Sequence, residues 1–300
     1  PVKTTVQAAK KADKKEEVSD SSLAARLSAL GSAAQSYNDA VDKADYLKSI
    51  AVNTASGYVS NQVNELLTDY AGANAQLSLT LDNDGRLRPS GKVLLPLWST
   101  PLNSTFTQMG ITESYNNNKI GHVALGTRFY PFAEGDTSGD LMLGLNGIYH
   151  YSLDRHHRSM SIGGEMMTPY MRISSNVYQR LSSWKISEDF DGYNYGYVQE
   201  RPANGFDVRT KWFFPGLNNL AILANVEKWR GEHVAPFGDI EELEKNPWVY
   251  SGGVEWQPVP AITLTAQHQQ TGRGQTNEQV MVNFNIPLGE AKDAFDPSQV

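Results

Sequence analysis

From about residue 73 to residue 288 the chain repeats one unit, in which roughly ten residues alternate apolar with polar or small side chains and then give way to a turn. A tilted strand of about that length crosses the hydrocarbon core of a bilayer. The clearest examples are Leu141 to Tyr151 and Val280 to Ile286, where one parity carries Leu, Tyr, Val, Phe and Ile and the other is mostly small, polar or Met. Strands are predicted at 73–82, 90–98, 104–115, 119–131, 139–152, 157–168, 171–184, 204–214, 219–230, 247–257, 261–270 and 278–288. Ahead of them Tyr58, Val59, Val63, Leu66 and Leu67 recur at spacings of three and four, the signature of an amphipathic helix. The pattern predicts an all-β fold, a twelve-stranded antiparallel transmembrane β-barrel with a short N-terminal amphipathic helix. Four segments follow: a flexible arm over 1–50, poor in large apolar side chains, a helix over 51–72, the barrel over 73–288, and a tail over 289–300.

Connector lengths test this independently, because such barrels carry short turns on the periplasmic rim and longer loops on the other. The two longest, Lys185 to Ala203 and Gly231 to Asn246, are the seventh and ninth, and so share a rim. Thr168 to Tyr170, Pro215 to Asn218 and Pro258 to Pro260 are short and even-numbered. An even strand count then places both barrel ends in the periplasm and the long loops outside the cell. Trp98, Tyr115, Tyr130, Phe132, Tyr170, Trp184, Phe213, Phe214, Trp229 and Trp248 all fall near strand ends and are expected in aromatic girdles.

Composition changes the picture in three places. The longest apolar runs are a few residues, far short of the ~18 that a membrane helix needs. Absence of cysteine removes disulfides and thiolate chemistry. A net charge of −7, with no basic stripe, argues against a nucleic-acid partner.

Charge decides which face is which. Phe206, Val208, Thr210, Trp212 and Phe214 share one face of a predicted strand, and Asp207, Arg209 and Lys211 the other. A cation facing lipid at mid-membrane costs about 2–4 kcal/mol, so the charged face must line the lumen. The same reasoning sends Arg128, Glu165, Arg172, Arg180, Glu227 and Glu255 inward. These charges either form a cross-lumen ion-pair network or line a hydrated pore, and the pattern leaves both open.

The run Glu200-Arg201-Pro202-Ala203-Asn204-Gly205-Phe206-Asp207-Val208-Arg209 resembles the β-domain of inverse autotransporters, the intimin and invasin group of bacterial adhesins. Ile162-Gly163-Gly164-Glu165, Ser175-Asn176-Val177-Tyr178 and Leu181-Ser182-Ser183-Trp184 resemble its central strands, Leu94-Leu95-Pro96-Leu97 its second strand, and Ala55 to Gly72 the helix before its barrel. The resemblance runs from about residue 50 to the C-terminus. It implies an outer-membrane barrel that exports and anchors a C-terminal passenger, usually immunoglobulin-like domains with an adhesive tip that meets a host or bacterial surface receptor. It further implies a linker, begun by 289–300, threading outward through the lumen. Arg128, Glu165, Arg172, Arg180, Asp207, Arg209, Lys211, Glu227 and Glu255 are then expected to line its path, several as partners for the linker. Two features depart from the pattern: the arm shows no peptidoglycan-binding module, and Tyr151 to His157 stand where the family has an Asp-rich stretch.

The last strand must close on the first, since lipid cannot satisfy an open edge. Its Val280, Val282, Phe284 and Ile286 are expected to be the signal read by the outer-membrane assembly machinery, to which periplasmic chaperones would deliver the chain. The competing functions are a diffusion pore and, from another class, a soluble β-sandwich lectin. No catalysis, metal or cofactor is expected. Asp82-Asn83-Asp84-Gly85 lacks the distal Glu of a calcium loop and reads as a hairpin turn. His150, His156 and His157 have nothing that fixes them as ligands. No Gly-x-Ser-x-Gly occurs.

Overall fold

The computed structural model describes residues 74–82, 87–115, 118–132, 140–187, 198–239 and 242–287. The predicted arm, the helix at 51–72 and the tail from 289 lie outside them. Seven strands come first: β1 (Asn74–Leu81), β2 (Leu87–Ser99), β3 (Asn103–Glu113), β4 (Lys119–Phe129), β5 (Met142–Ser152), β6 (Arg158–Met167) and β7 (Met171–Arg180). A two-residue ribbon, β8 (Lys185–Ile186) with β9 (Gln199–Glu200), occupies the following connector. Five more complete the set: β10 (Asn204–Phe214), β11 (Leu217–Arg230), β12 (Trp248–Val259), β13 (Ile262–Thr271) and β14 (Thr276–Pro287).

Leaving out the ribbon, the strands form one closed antiparallel barrel in sequence order, in which β14 pairs β1 from Asn74 opposite Pro287 to Leu81 opposite Val280. Closure satisfies every edge, the condition for lying in lipid. The predicted strands match within a few residues, the largest difference being the seventh, which stops at Arg180 rather than 184. Connectors also sort as expected, with one exception. Residues 130–141 form a long connector on the rim whose other links are 100–102, 168–170, 215–216 and 260–261. Register shifts at Pro96/Trp98, Phe213/Phe214 and Trp256/Val259 all fall at this short-turn rim, where bulges commonly end pairing in barrels.

The two faces separate by parity. Leu125, Leu145, Ile162, Val177 and Val254 are 53–61% exposed, and all project outward. Directly paired residues share a face, so the row Trp212, Ile222, Val254, Ala266 and Val280 runs around the outside. The alternate parity faces in, and there Ser161, Asp207 and Thr265 are almost wholly buried. The core of this molecule is therefore polar, and its apolar surface is its exterior, the inverse of a water-soluble domain.

Candidate functional site

All nine charges expected in the lumen fall on the inward parity. They do not form a cross-lumen network, however. Arg128 on β4 meets Glu165 on β6, with Nε donating to Oε1 at 2.7 Å and Nη2 to Oε2 at 3.4 Å. Lys211 on β10 donates to both oxygens of Glu255 on β12 at 2.6 and 2.7 Å. Each pair lies along the wall and skips one strand. The reason is geometric: side chains two strands apart stand about 10 Å apart at their backbones, within reach of Arg or Lys plus Glu, whereas the opposite wall is not. The skipped strand must leave room, and between Arg128 and Glu165 it carries Gly144. A Cβ there would come within 2.6 Å of Glu165 Cγ.

Asp207 is the most enclosed charge, 1% exposed. Its Oδ1 accepts from Asn176 Nδ2 at 2.9 Å, and its Oδ2 from Tyr178 Oη at 2.8 Å and Arg209 Nη2 at 2.6 Å. Three donors, one of them cationic, offset the desolvation of a buried carboxylate. Regular strands put them there, because Asn176 is directly opposite Asp207 and Arg209 shares its face two residues on. Glu227, opposite Asp207 on the other side, accepts from Asn225 Nδ2 at 2.8 Å and Trp229 Nε1 at 2.9 Å. The Arg172 guanidinium lies 5.1 Å from the centre of the Phe213 ring, and the Arg180 backbone amide donates to Asn204 Oδ1. Toward the short-turn end the lumen holds a cavity of about 540 Å³, with Glu165, Arg172, Arg209, Lys211, Glu255 and Asn283 on its wall.

Three aromatics expected in the girdles belong to the interior. Phe213 and Trp229 share parity with Lys211 and Glu227, and Trp229 packs on Tyr178 with ring centres 5.2 Å apart. Tyr115 turns into the mouth, where its hydroxyl lies 3.1 Å from Asn277 Nδ2. Trp98, Phe132, Tyr170, Trp184, Phe214 and Trp248 are exposed.

A second cluster at the long-connector rim was not visible in the pattern. Glu200, on the ribbon strand β9, takes Arg155 Nη1 at 3.1 Å and Ser187 Oγ at 3.2 Å on one oxygen. His157 Nε2 stands 3.3 Å from the other oxygen, off hydrogen-bonding alignment, and neither ring nitrogen makes a hydrogen bond. Burial lowers the His157 pKa below the usual 6.5, opposed by the Glu200 charge. The cluster gives Tyr151 to His157 a role: these residues fasten the β5–β6 connector to the ribbon, aided by Lys185 Nζ donating to His156 O, while Lys119 N at the start of β4 donates to Asp154 Oδ2 and ties the connector to the neighbouring strand. His150 pairs with Ser161 and His156 with Tyr151, while Asp82 faces Arg88 at 3.4 Å. Among the described residues no group of three His, Asp or Glu side chains could hold a metal ion.

Comparison with known proteins agrees with this geometry. The family model "Inverse autotransporter, beta-domain" matches residues 25–300. The chain is 30% identical over 254 residues to the inverse autotransporter adhesin YeeJ of Escherichia coli K12, covering 83% of this chain and 10% of that protein. It is 30% identical over 258 residues to invasin of Yersinia enterocolitica (82% and 29%) and over 234 residues to intimin of Escherichia coli O157:H7 (78% and 23%). The chain thus spans less than a third of the length of these three relatives. A structure from a study of in-meso crystallization of membrane proteins superposes with a TM-score of 0.66 at 24% identity, over 75% of this chain and 88% of the other.

Proposed function

The chain belongs to the inverse autotransporter β-domain family, and on that premise we propose that this outer-membrane barrel exports a passenger carried C-terminal to it and stays behind as the anchor. Its adhesin-related translocator role follows from the family and its relatives. The finer steps are the proposal. One observation carries them: β14 ends at the short-turn rim, so the chain that follows it can reach the long-connector rim only by crossing the lumen.

In this reading the short-turn rim faces the periplasm, residues 1–72 precede the barrel on that side, and 289–300 begin the linker. Long connectors face outward. The linker's amides and carbonyls need partners wherever water is excluded. Glu165, Arg172, Arg209, Lys211 and Glu255 line the cavity through which it passes, with Arg128 paired to Glu165, while Arg180, Asp207 and Glu227 fix the wall above. The passenger then meets a host or bacterial surface receptor. Lipid contacts the outward row, and periplasmic chaperones and the assembly machinery insert the barrel by reading Val280, Val282, Phe284 and Ile286 on β14. Changing Phe284 and Ile286 together to Asp is expected to abolish heat-modifiable barrel formation, and normal insertion would contradict this signal.

Ion conductance distinguishes the translocator from a diffusion pore. The full chain in a planar bilayer is expected to conduct weakly, and a chain ending at Pro287 to open a stable, larger pore. Equal, large conductance from both would favour the diffusion pore.

A further inference from the structure

We infer that the linker leaves the barrel through one half of the long-connector mouth, the half walled by β5, β6, β7 and β10, because a strut between two opposed connectors closes the other half. This rests on the threading proposed above and adds the path.

The strut joins Tyr115, in the β3–β4 connector, to Gly238, in the β11–β12 connector. Around the ring, four strands separate these connectors on one side (β2, β1, β14, β13) and four on the other (β10, β7, β6, β5). The contact therefore spans a diameter. Gly238 has φ 81°, a conformation costly for other residues, and any Cβ there would overlap that of Tyr115. The close approach needs glycine on both counts.

On one side of the strut the mouth is filled. The Tyr115 hydroxyl lies within hydrogen-bonding distance of Asn277 at 3.1 Å and Gln279 at 3.3 Å, both on β14, and the Arg88 guanidinium from β2 lies 4.2 Å from its ring centre. Burial raises the Tyr115 pKa, so the hydroxyl stays neutral and these contacts persist across ordinary pH. The β11–β12 connector is held down on the same side, by Thr271 Oγ1 donating to Glu244 Oε1 at 2.5 Å and Gln275 Nε2 donating to Glu242 O at 2.8 Å.

On the other side lies a cavity of about 210 Å³ lined by Asn118, His150, His157, Ser159 and Glu200. His157 is 8% exposed, and both its ring nitrogens lack hydrogen-bond partners. A buried imidazole in that condition forgoes one donor and one acceptor, and an extended polypeptide supplies a carbonyl and an amide at every residue. Of the charges on its wall, Glu200 is paired with Arg155, and Arg201 lies over the Trp184 ring, its guanidinium 4.1 Å from the ring centre. With those charges already engaged, a peptide backbone is the occupant the cavity suits.

Cross-linking on the full chain tests the path. A benzophenone side chain is placed singly at Ser159 in the open half, at Asn277 in the closed half, or at Ser174 in the lower cavity common to both routes, and folding is checked by heat-modifiable migration. Cross-links to residues beyond 287 are expected at Ser174 and Ser159 and not at Asn277. Tyr115→Ala should then add cross-links at Asn277. Capture at Asn277 without that substitution, or at Ser174 but not Ser159, overturns the path and leaves threading intact. An unchanged pattern in Tyr115→Ala would show that the strut does not divide the mouth. Capture at none of the three positions would contradict threading itself.

Discussion

Two carboxylates of the same ten-residue run, Asp207 and Glu200, are held in opposite ways. Asp207 sits in the wall between regular strands, and its three donors come from its own strand and the next. Glu200 sits on a two-residue ribbon outside the barrel, and its hydrogen-bond partners Arg155 and Ser187, with the adjacent His157 imidazole, come from two connectors that meet only in the folded state. The first is fixed by the ladder and cannot move without opening it. The second joins loops that can part while the barrel remains closed.

The largest expected effect follows from removing the first. Asp207→Ala leaves the half-exposed Arg209 guanidinium without its partner and the Asn176 and Tyr178 donors without their acceptor, and each buried polar group left unsatisfied typically costs about 1–3 kcal/mol. Urea unfolding in micelles should show a much lower midpoint. Asp207→Asn keeps the shape but not the charge, and should lose about 1–3 kcal/mol, the scale of one charge-assisted hydrogen bond. An Asn variant as weak as the Ala variant would mean that the charge, not the acceptor geometry, holds the wall.

Glu200→Gln should barely move global stability, by less than about 1 kcal/mol, since Gln keeps acceptor and shape and the connectors it joins can part while the barrel stays closed. Hydrogen exchange at the amides of Ser152 and Ser187, which bond across these connectors, should nonetheless accelerate. Loss of global stability comparable to Asp207→Ala would erase the contrast. The smallest effect depends on pH. His157 is held below its free value of 6.5, chiefly by burial, so the folded rim binds fewer protons than the opened one once pH falls below that value. Rim stability is then complete above pH 6.5 and declines as pH drops through it. Corrected for intrinsic exchange rates, rim protection should fall between pH 7.5 and 5.5. In Glu200→Gln the decline should steepen, because the charge opposing the shift is gone.

The same contrast explains what the sequence could reveal. Strands, closure and the outward row were legible because alternation has a period of two and the penalty for charge in lipid is large: Val208 and Val254 had to face out if Asp207 and Glu255 faced in. Phe213 and Trp229 each stand two residues from an inward charge, so parity, and not nearness to a strand end, sets the face they occupy. Ion pairs were not legible, because parity gives the face of a side chain but not its neighbour two strands away, which depends on register. Arg128 finds Glu165 only once Gly144 is known to lie between them. The Glu200 cluster and the contact between Tyr115 and Gly238 were further out of reach, joining connectors with no periodicity to read.

Antibody labelling of intact cells that express the chain with an epitope tag after Val300 reads whether a polypeptide has crossed the outer membrane through the lumen of this barrel. With the barrel folded, the tag is expected to be accessible on unbroken cells. A folded, heat-modifiable barrel whose tag is reached only after the outer membrane is breached would contradict it.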